Sequence, residues 1–390
     1  MLERYKRQDI VSRIVNAYPD AVWTKPPRIL ENQELAKALV ALDERVHLYH
    51  YLNRADRLAG LGKYAVLLLG FDDVEDSDGL LEPAALDGQP GGGLELVYVQ
   101  AYGEGDAKIV EYEDDPSDPS FGMPRYYDLK VRQTERATKT LRVHSSRVLH
   151  IADSPVVSDV EGYPIIQRVF NRLDDLEKVV GGASEVFWLN SRKGMQLDLD
   201  KEAQVTEEDT KRLNKEVQDY VHGLTRILRT RGVNIKELGG VGVNPEPVFN
   251  VIMSVISTTT GIPQRIFIGS EQGKLASEQD RANWAIRINE RRVLFAEPRV
   301  IRPMMLRLQD AGVLPGGTYR IEWPEAFQLS PLERAQTAAQ QARAATNLSR
   351  AMVELPDLIT REESRSIIFA RGELKGEAAI EGETVGTVDG

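Results

Sequence analysis

The residues of this chain best suited to acid–base or metal chemistry are its five histidines and two of its three pairs of adjacent aspartates, the third, Asp174-Asp175, reading as the solvated side of a helix. His144-Ser145-Ser146 places a histidine two residues before a hydroxyl. Two-histidine phosphoesterases use two such motifs, one histidine as acid and one as base, with the hydroxyls on phosphate oxygens. The second motif is missing: His150 is followed by Ile151-Ala152 and His222 by Gly223-Leu224. His47 and His50 stand one turn apart if helical and could share a metal, but no acid or third histidine lies at ligand spacing. A solvated or packed helix face accounts for them. Asp72-Asp73 and Asp114-Asp115 could be nuclease metal ligands. Both lie in turn-rich sequence without a histidine or lysine partner, so they read as solvated loops. Gly60-Leu61-Gly62-Lys63 fails as a phosphate loop, because Arg57 holds the first glycine place and Tyr64 the Ser/Thr place. No cofactor, metal or catalytic residue is expected.

Composition narrows the classes further. The 390 residues are 42% hydrophobic and 28% charged, in the range of a soluble globular protein of two to three domains. The chain has no cysteine, which excludes disulfides, thiolate metal sites and thiol nucleophiles. The N-terminus lacks the apolar core of a signal peptide. The longest apolar run, Tyr64 to Leu69, is too short for a membrane span, and no membrane partner is expected. A net charge of −11 opposes gripping nucleic acid over the general surface. It is compatible with surrounding a duplex, because an acidic wall repels phosphates.

Periodicity supplies the elements. Ile10, Ile14 and Ala17 recur at helical spacing, with Asp20 ending that helix. Asn32 to Leu61 reads as one long helix, with Leu35, Leu39, Leu42 and Val46 on one face. Strands are predicted at 64–70, 94–99, 126–131 and 148–151, with 103–120 as an acid- and glycine-rich surface connection. A helix from Gly162-Tyr163-Pro164 to about Asn190 buries Ile165, Val169, Leu173, Leu176 and Val180. Met195 to Leu199, a helix capped by Thr206-Glu207-Glu208-Asp209, and a strand from Arg226 through Leu238 form a small inserted module. Asn244-Pro245-Glu246 then opens a helix with Val248, Phe249, Ile252, Val255 and Ile256 at helical spacing. It ends at Thr258-Thr259-Thr260-Gly261. A mobile polar loop is predicted at 269–276. A long helix restarts at Ser277, carries Trp284, Ile288 and Phe295 on one stripe, and bends at Pro298 and Pro303. Residues 318–323 read as a strand. Ser330-Pro331-Leu332-Glu333 and Thr360-Arg361-Glu362-Glu363 cap two further helices, and the chain from Gly376 onward reads as a disordered tail.

This order resembles the core of tailed-bacteriophage portal proteins. It rests on Val148-Leu149-His150-Ile151 before Gly162-Tyr163-Pro164-Ile165, then Phe187-Trp188-Leu189-Asn190 and Thr206-Glu207-Glu208-Asp209. Gly261 through Gly269 and Thr360-Arg361-Glu362-Glu363 complete the set. The resemblance covers roughly residues 32 to 372 in order. It implies an α+β, portal-like fold: an N-terminal wing (1–162), a stem helix (163–190), a clip (191–243) and a second stem helix (244–262). There follow a tunnel loop (263–277), a long bent wing helix and strand (278–330), a short helical crown (331–375) and the tail (376–390). It further implies a homo-oligomeric ring, a dodecamer, at one capsid vertex in the virion, built in the host cytoplasm. Double-stranded DNA would thread its axis. The terminase large subunit, a head–tail adaptor, and the major capsid and scaffolding proteins would be its partners.

On this chain Ser270, Glu271, Gln272, Gly273 and Lys274 would form the loop facing DNA, with Lys274 its basic residue. Lys274 is equally readable as an ordinary loop lysine. Arg226, Arg229, Arg231 and Lys236 would lie at the clip interface. Arg229 and Arg231 share one strand face and Arg226 the other, so a subunit salt bridge suits them as well as a DNA contact. The competing readings are a two-histidine phosphodiesterase acting on cyclic nucleotides or nucleic acid through His144, and a generic phage structural or scaffolding protein.

Overall fold

The computed structural model describes residues 1–84, 93–132, 134, 137–191, 194–199, 206–221, 233–238, 244–269 and 274–326, and within 339–350 residues 339–340, 342–344, 346–347 and 350. It divides into two units, Met1–Pro324 and Glu325–Gly390. In the second unit the described residues from 339 onward are helical, and Thr346 Oγ1 donates to Ala342 O at 2.8 Å. Most of the expected crown, the two caps at 330 and 360, and the tail lie outside the described residues.

The first unit opens with helices α1 (Leu2–Arg7) and α2 (Asp9–Trp23), strand β1 (Arg28–Leu30) and helices α3 (Gln33–Val46) and α4 (Leu48–Leu61). Strands β2 (Ala65–Phe71), β3 (Leu96–Gly103), β4 (Ala107–Tyr112), β5 (Pro124–Arg132), β6 (Thr138–His144) and β7 (Val148–Ile151) follow. Then come the 27-residue helix α5 (Ile165–Ser191), β8 (Gly194–Leu199), α6 (Glu207–Val221), β9 (Val233–Leu238) and α7 (Glu246–Thr260). Helices α8 (Gln264–Ile268), α9 (Lys274–Arg291) and α10 (Arg302–Asp310) and strand β10 (Arg320–Glu322) complete it. A π-helical stretch, Arg292–Ile301, joins α9 to α10 without a break.

Two antiparallel three-stranded sheets, β3-β2-β7 and β4-β5-β6, carry one core. Leu67 of β2 sits between Ala101 and Leu149. Tyr127 and Leu129 of β5 join Val66, Leu68 and Tyr102 in a single buried cluster, so the two sheets share an interior. The full burial of β2 explains its unbroken apolar run. β1 pairs with β10 and β8 with β9, both antiparallel. A second core is helical: Val11 and Ile14 of α2, Ile166, Val169 and Leu173 of α5, and Ile252, Met253 and Ile256 of α7. At Gly162 a Cβ would stand 2.0 Å from Asp153 O, so the loop after β7 closes on itself only because that position has no side chain.

Several expectations change. The helix predicted over 32–61 is two helices, because His47 is left-handed (φ 53°, ψ 48°) and cannot carry the ladder through. The Asp43 carboxylate accepts from Tyr49 N at 2.9 Å and starts the second helix. Leu35, Leu39, Leu42 and Val46 are buried as their spacing predicts. α2 continues past Asp20 to Trp23 with Pro19 inside it. The connection at 103–120 contains β4, whose Ala107 is fully buried while its one acid, Glu111, is exposed. On α7 the buried residues are Ile252, Met253, Ile256 and Thr260, with Phe249 partly buried, whereas Val248 and Val255 are exposed. α9 begins at Lys274, three residues before the predicted Ser277, and α8 occupies part of what reads as loop.

Candidate functional site: a helical stem on a buried charge cluster

The helical hairpin α5–α7 is the feature that the rest of the first unit positions. Its core side is apolar, and its outer surface is partly apolar too. Val180, Val186 and Phe187 on α5 and Val248, Val251 and Val255 on α7 are exposed, Phe187 at 78%. The predicted burial of Val180 is thus corrected. α5 carries 27 residues against 15 for α7, so its C-terminal turns extend past the paired length.

The base of this hairpin is fixed by polar contacts that reach across the chain. Tyr18 OH of α2 donates to Thr260 O at the end of α7 (3.2 Å), and Ser257 Oγ donates to Ile262 O (2.7 Å). Gly261 then takes a left-handed φ of 71°, which stops the helix. Arg291, the last residue of α9, sits beneath. It donates to Asp56 Oδ1 of α4 at 2.5 Å and to Asp153 Oδ2 of the loop after β7 at 3.0 Å. Trp23 Nε1 donates to the other Asp56 oxygen at 2.8 Å. The Arg291 guanidinium lies 4.3 Å from the Phe295 ring centre and 5.5 Å from that of Tyr18.

Asp56 is wholly buried. Burial pushes its carboxyl above the usual carboxylate range, and Arg291 opposes that rise. Burial also works against the charge of Arg291, but Asp153 and Asp56 outweigh it and hold the guanidinium protonated. One cation thereby joins α4, the loop leading to α5, and α9. Its neighbour Arg292 donates to Pro324 O at 2.7 Å and lies 4.9 Å from the Trp323 ring centre, anchoring the strand end after β10.

His144, His150, Asp72, Asp73 and Asp115, which suggested acid–base or metal chemistry, make structural contacts. His144 Nδ1 accepts from Ser146 N (3.2 Å) and pairs with Ser146 Oγ (2.9 Å), so it caps the short 3-10 turn at 145–147. His150 uses both ring nitrogens, one with Tyr127 OH at 3.1 Å and one with Val160 O at 2.7 Å. Burial lowers the pKa of both imidazoles. His47 and His50 are exposed; His47 is the α3–α4 break itself and His50 lies in the first turn of α4. Asp73 is not a solvated loop residue: it takes a two-pronged ion pair from the buried Arg147 at 2.7 and 2.8 Å. Asp72 accepts from Glu95 N at 2.7 Å, and Asp115 accepts from Ser117 N at 2.9 Å. Among the described residues no group of three or more His, Cys, Asp or Glu could hold a metal ion. No described helix is long and apolar enough to cross a membrane.

A family profile described as phage portal protein matches residues 1–347. The chain belongs to the phage portal protein family. Members of that family are structural, non-enzymatic proteins. Among curated proteins no relative matches the chain. Solved structures share the fold at low identity. One is the neck of a native gene transfer agent particle computed with C12 symmetry, at TM-score 0.56 and 14% identity over 94% of this chain and 92% of that one. Another is the neck of the empty particle computed with C6 symmetry, at TM-score 0.57, 15% identity and the same coverage.

Helices α5 and α7 cover most of the two segments expected as stem helices, 163–190 and 244–262, and β8, α6 and β9 lie between them in sequence. Thr206 Oγ1 accepts from Asp209 N, and Asp209 Oδ2 accepts from Thr206 N, each at 3.2 Å, so the cap on α6 is formed as predicted. Of the expected DNA-facing residues, Ser270, Glu271, Gln272 and Gly273 lie outside the described residues, and Lys274 is the first residue of α9. Arg226, Arg229 and Arg231 also lie outside them. Lys236 stands in β9 opposite Gln196. The charge clusters at Arg291 and Arg147 escape sequence reading, because each joins residues far apart in the chain and no local spacing announces them.

Proposed function

We propose that the chain assembles into a closed ring of twelve copies at one vertex of a phage capsid and conducts double-stranded DNA during packaging and ejection. The observation that carries this reading is the match to the portal family along residues 1–347, joined to a stem hairpin whose outer valines lack cover in a single copy. Under this reading residues 1–162 and 278–330 form the wing, 163–190 and 244–262 the stem, 191–243 the clip, and 331–375 the crown. The clip, with Arg226, Arg229, Arg231 and Lys236, meets the head–tail adaptor and the terminase large subunit, and the outer wing meets major capsid and scaffolding proteins. Residues 270–274 line the channel. The protein works in the virion after assembly in the host cytoplasm. ATP hydrolysis belongs to the motor, and this chain supplies the conduit. Repetition around an axis multiplies each exposed charge, and a largely acidic wall keeps phosphates from binding, so the duplex slides.

Native mass measurement with particle imaging tests the ring. The expected species is a twelvefold multiple of the 43.6 kDa chain. A monomer that persists at high concentration across a range of salt would sink the reading.

A further inference from the structure

A ring needs one lateral contact, repeated from copy to copy, and α7 presents a surface suited to it. The core-facing residues of α7 are Phe249, Ile252, Met253, Ile256 and Thr260. At roughly 100° per residue, Val248, Val251 and Val255 form a second stripe, about 120° round the helix from the first. They are 50%, 64% and 42% exposed. Their spacing of three and then four residues is that by which a helix offers a seam to another helix. Below them, Thr258 and Gly261 line two adjoining cavities at the stem base, of about 450 and 530 Å³, together with Arg287 and Glu290 of α9. Exposed Leu294 stands at the first cavity and exposed Ile286 at the second. One lateral surface therefore runs from the top of α7 down to α9.

We infer that this surface, centred on Val251, is the seam against the next copy of the same chain. The inference rests on the ring reading and assigns residues to it. Two arguments select a copy as the occupant. The chain carries a net charge of −11, so copies repel one another, and a contact centred on uncharged groups adds nothing to that repulsion. Val248, Val251, Val255 and Thr258 are such groups. The extent also fits: α7 is about 22 Å long, and its exposed stripe continues over the surface below it, a length along which two helices can pack side by side. A ring contact joins two different faces, so the stripe need not match itself.

The absence of cysteine allows a direct test. In Val251→Cys the single thiol should react with a maleimide at least about tenfold more slowly in rings than in dissociated subunits. Val251→Asp should fold, since the site is exposed, and remain monomeric. Val40→Asp, at a position on α3 that is 59% exposed, should assemble like the parent. Rings of the Val251→Cys variant whose thiol labels at the monomer rate, or rings formed by Val251→Asp at the parental concentration, would overturn the seam while leaving the ring intact. A parent chain that stays monomeric would overturn both. If Val251→Asp fails to fold, the labelling rate decides.

Discussion

Arg291 holds three segments with one side chain, and its loss should be felt as a buried unpaired acid. Replacing it with Met leaves Asp56 without a counter-ion in a site closed to water. Breaking a buried pair in this way costs about 3–5 kcal/mol. The sign of the pH effect follows from burial, which already raises the Asp56 carboxyl. A group with a raised folded pKa favours the folded state at low pH and loses that contribution as pH rises. Arg291→Met should therefore be destabilised more at pH 7 than at pH 5, because lower pH favours the protonated form of Asp56 that burial prefers. Denaturant midpoints at the two pH values check this. A small loss that does not change with pH would mean that Asp56 is solvated. On the sheet side Arg147 likewise ties distant segments, donating to the Asp73 carboxylate and to Glu82 O. Neither cluster was legible beforehand. Asp56 stands in a helix whose neighbours look ordinary, and Asp73 in a turn that looks solvated; their partners arrive from distant segments.

For the elements, periodicity carried the reading where one side of a helix faces one core. Leu35, Leu39, Leu42 and Val46, and Val169, Leu173 and Leu176, lie where their spacing puts them. It failed in three physical situations. A left-handed residue at His47 breaks a helix without the glycine, asparagine or proline that normally marks such a point. β4 is largely solvated, and the acids on either side of it masked a short strand. On α7 apolar residues occupy both the core side and a lateral side, so spacing alone could not tell which side is buried. The start of α9 at Lys274 also changes what that residue does. A cation in the first helical turn opposes the helix dipole. Lys274→Glu should stabilise the start of α9 by about 0.3–1 kcal/mol, measurable as greater amide protection there. If the proposed channel position is right, it should also alter DNA packaging while rings still form. Loss of rings would assign Lys274 to assembly instead.

The whole molecule faces a charge problem that a ring makes worse. Each copy adds −11, and closing the circle brings those charges together. With a seam centred on apolar groups, salt should favour assembly, because screening shortens from about 10 Å at 0.1 M to about 3 Å at 1 M while apolar contact persists. The ring fraction, followed by sedimentation across that range, should rise. A fall with salt would place the weight of the contact on ion pairs.

The π-helical stretch Arg292–Ile301 bears on which sequence changes this long rod can absorb. Its i→i+5 bonding turns the chain less per residue than an α-helix does. The stretch therefore acts as a phase shifter between two rods: α9, with Arg291 aimed at Asp56 and Asp153, and α10, with Arg307 reaching Ser145 O at 2.7 Å. Each rod is clocked to its own neighbour. One residue gained or lost between them would turn one rod against the other by about 100°, pulling one arginine off its partners. Point substitutions there can be local, but insertions and deletions act on the whole length of the rod.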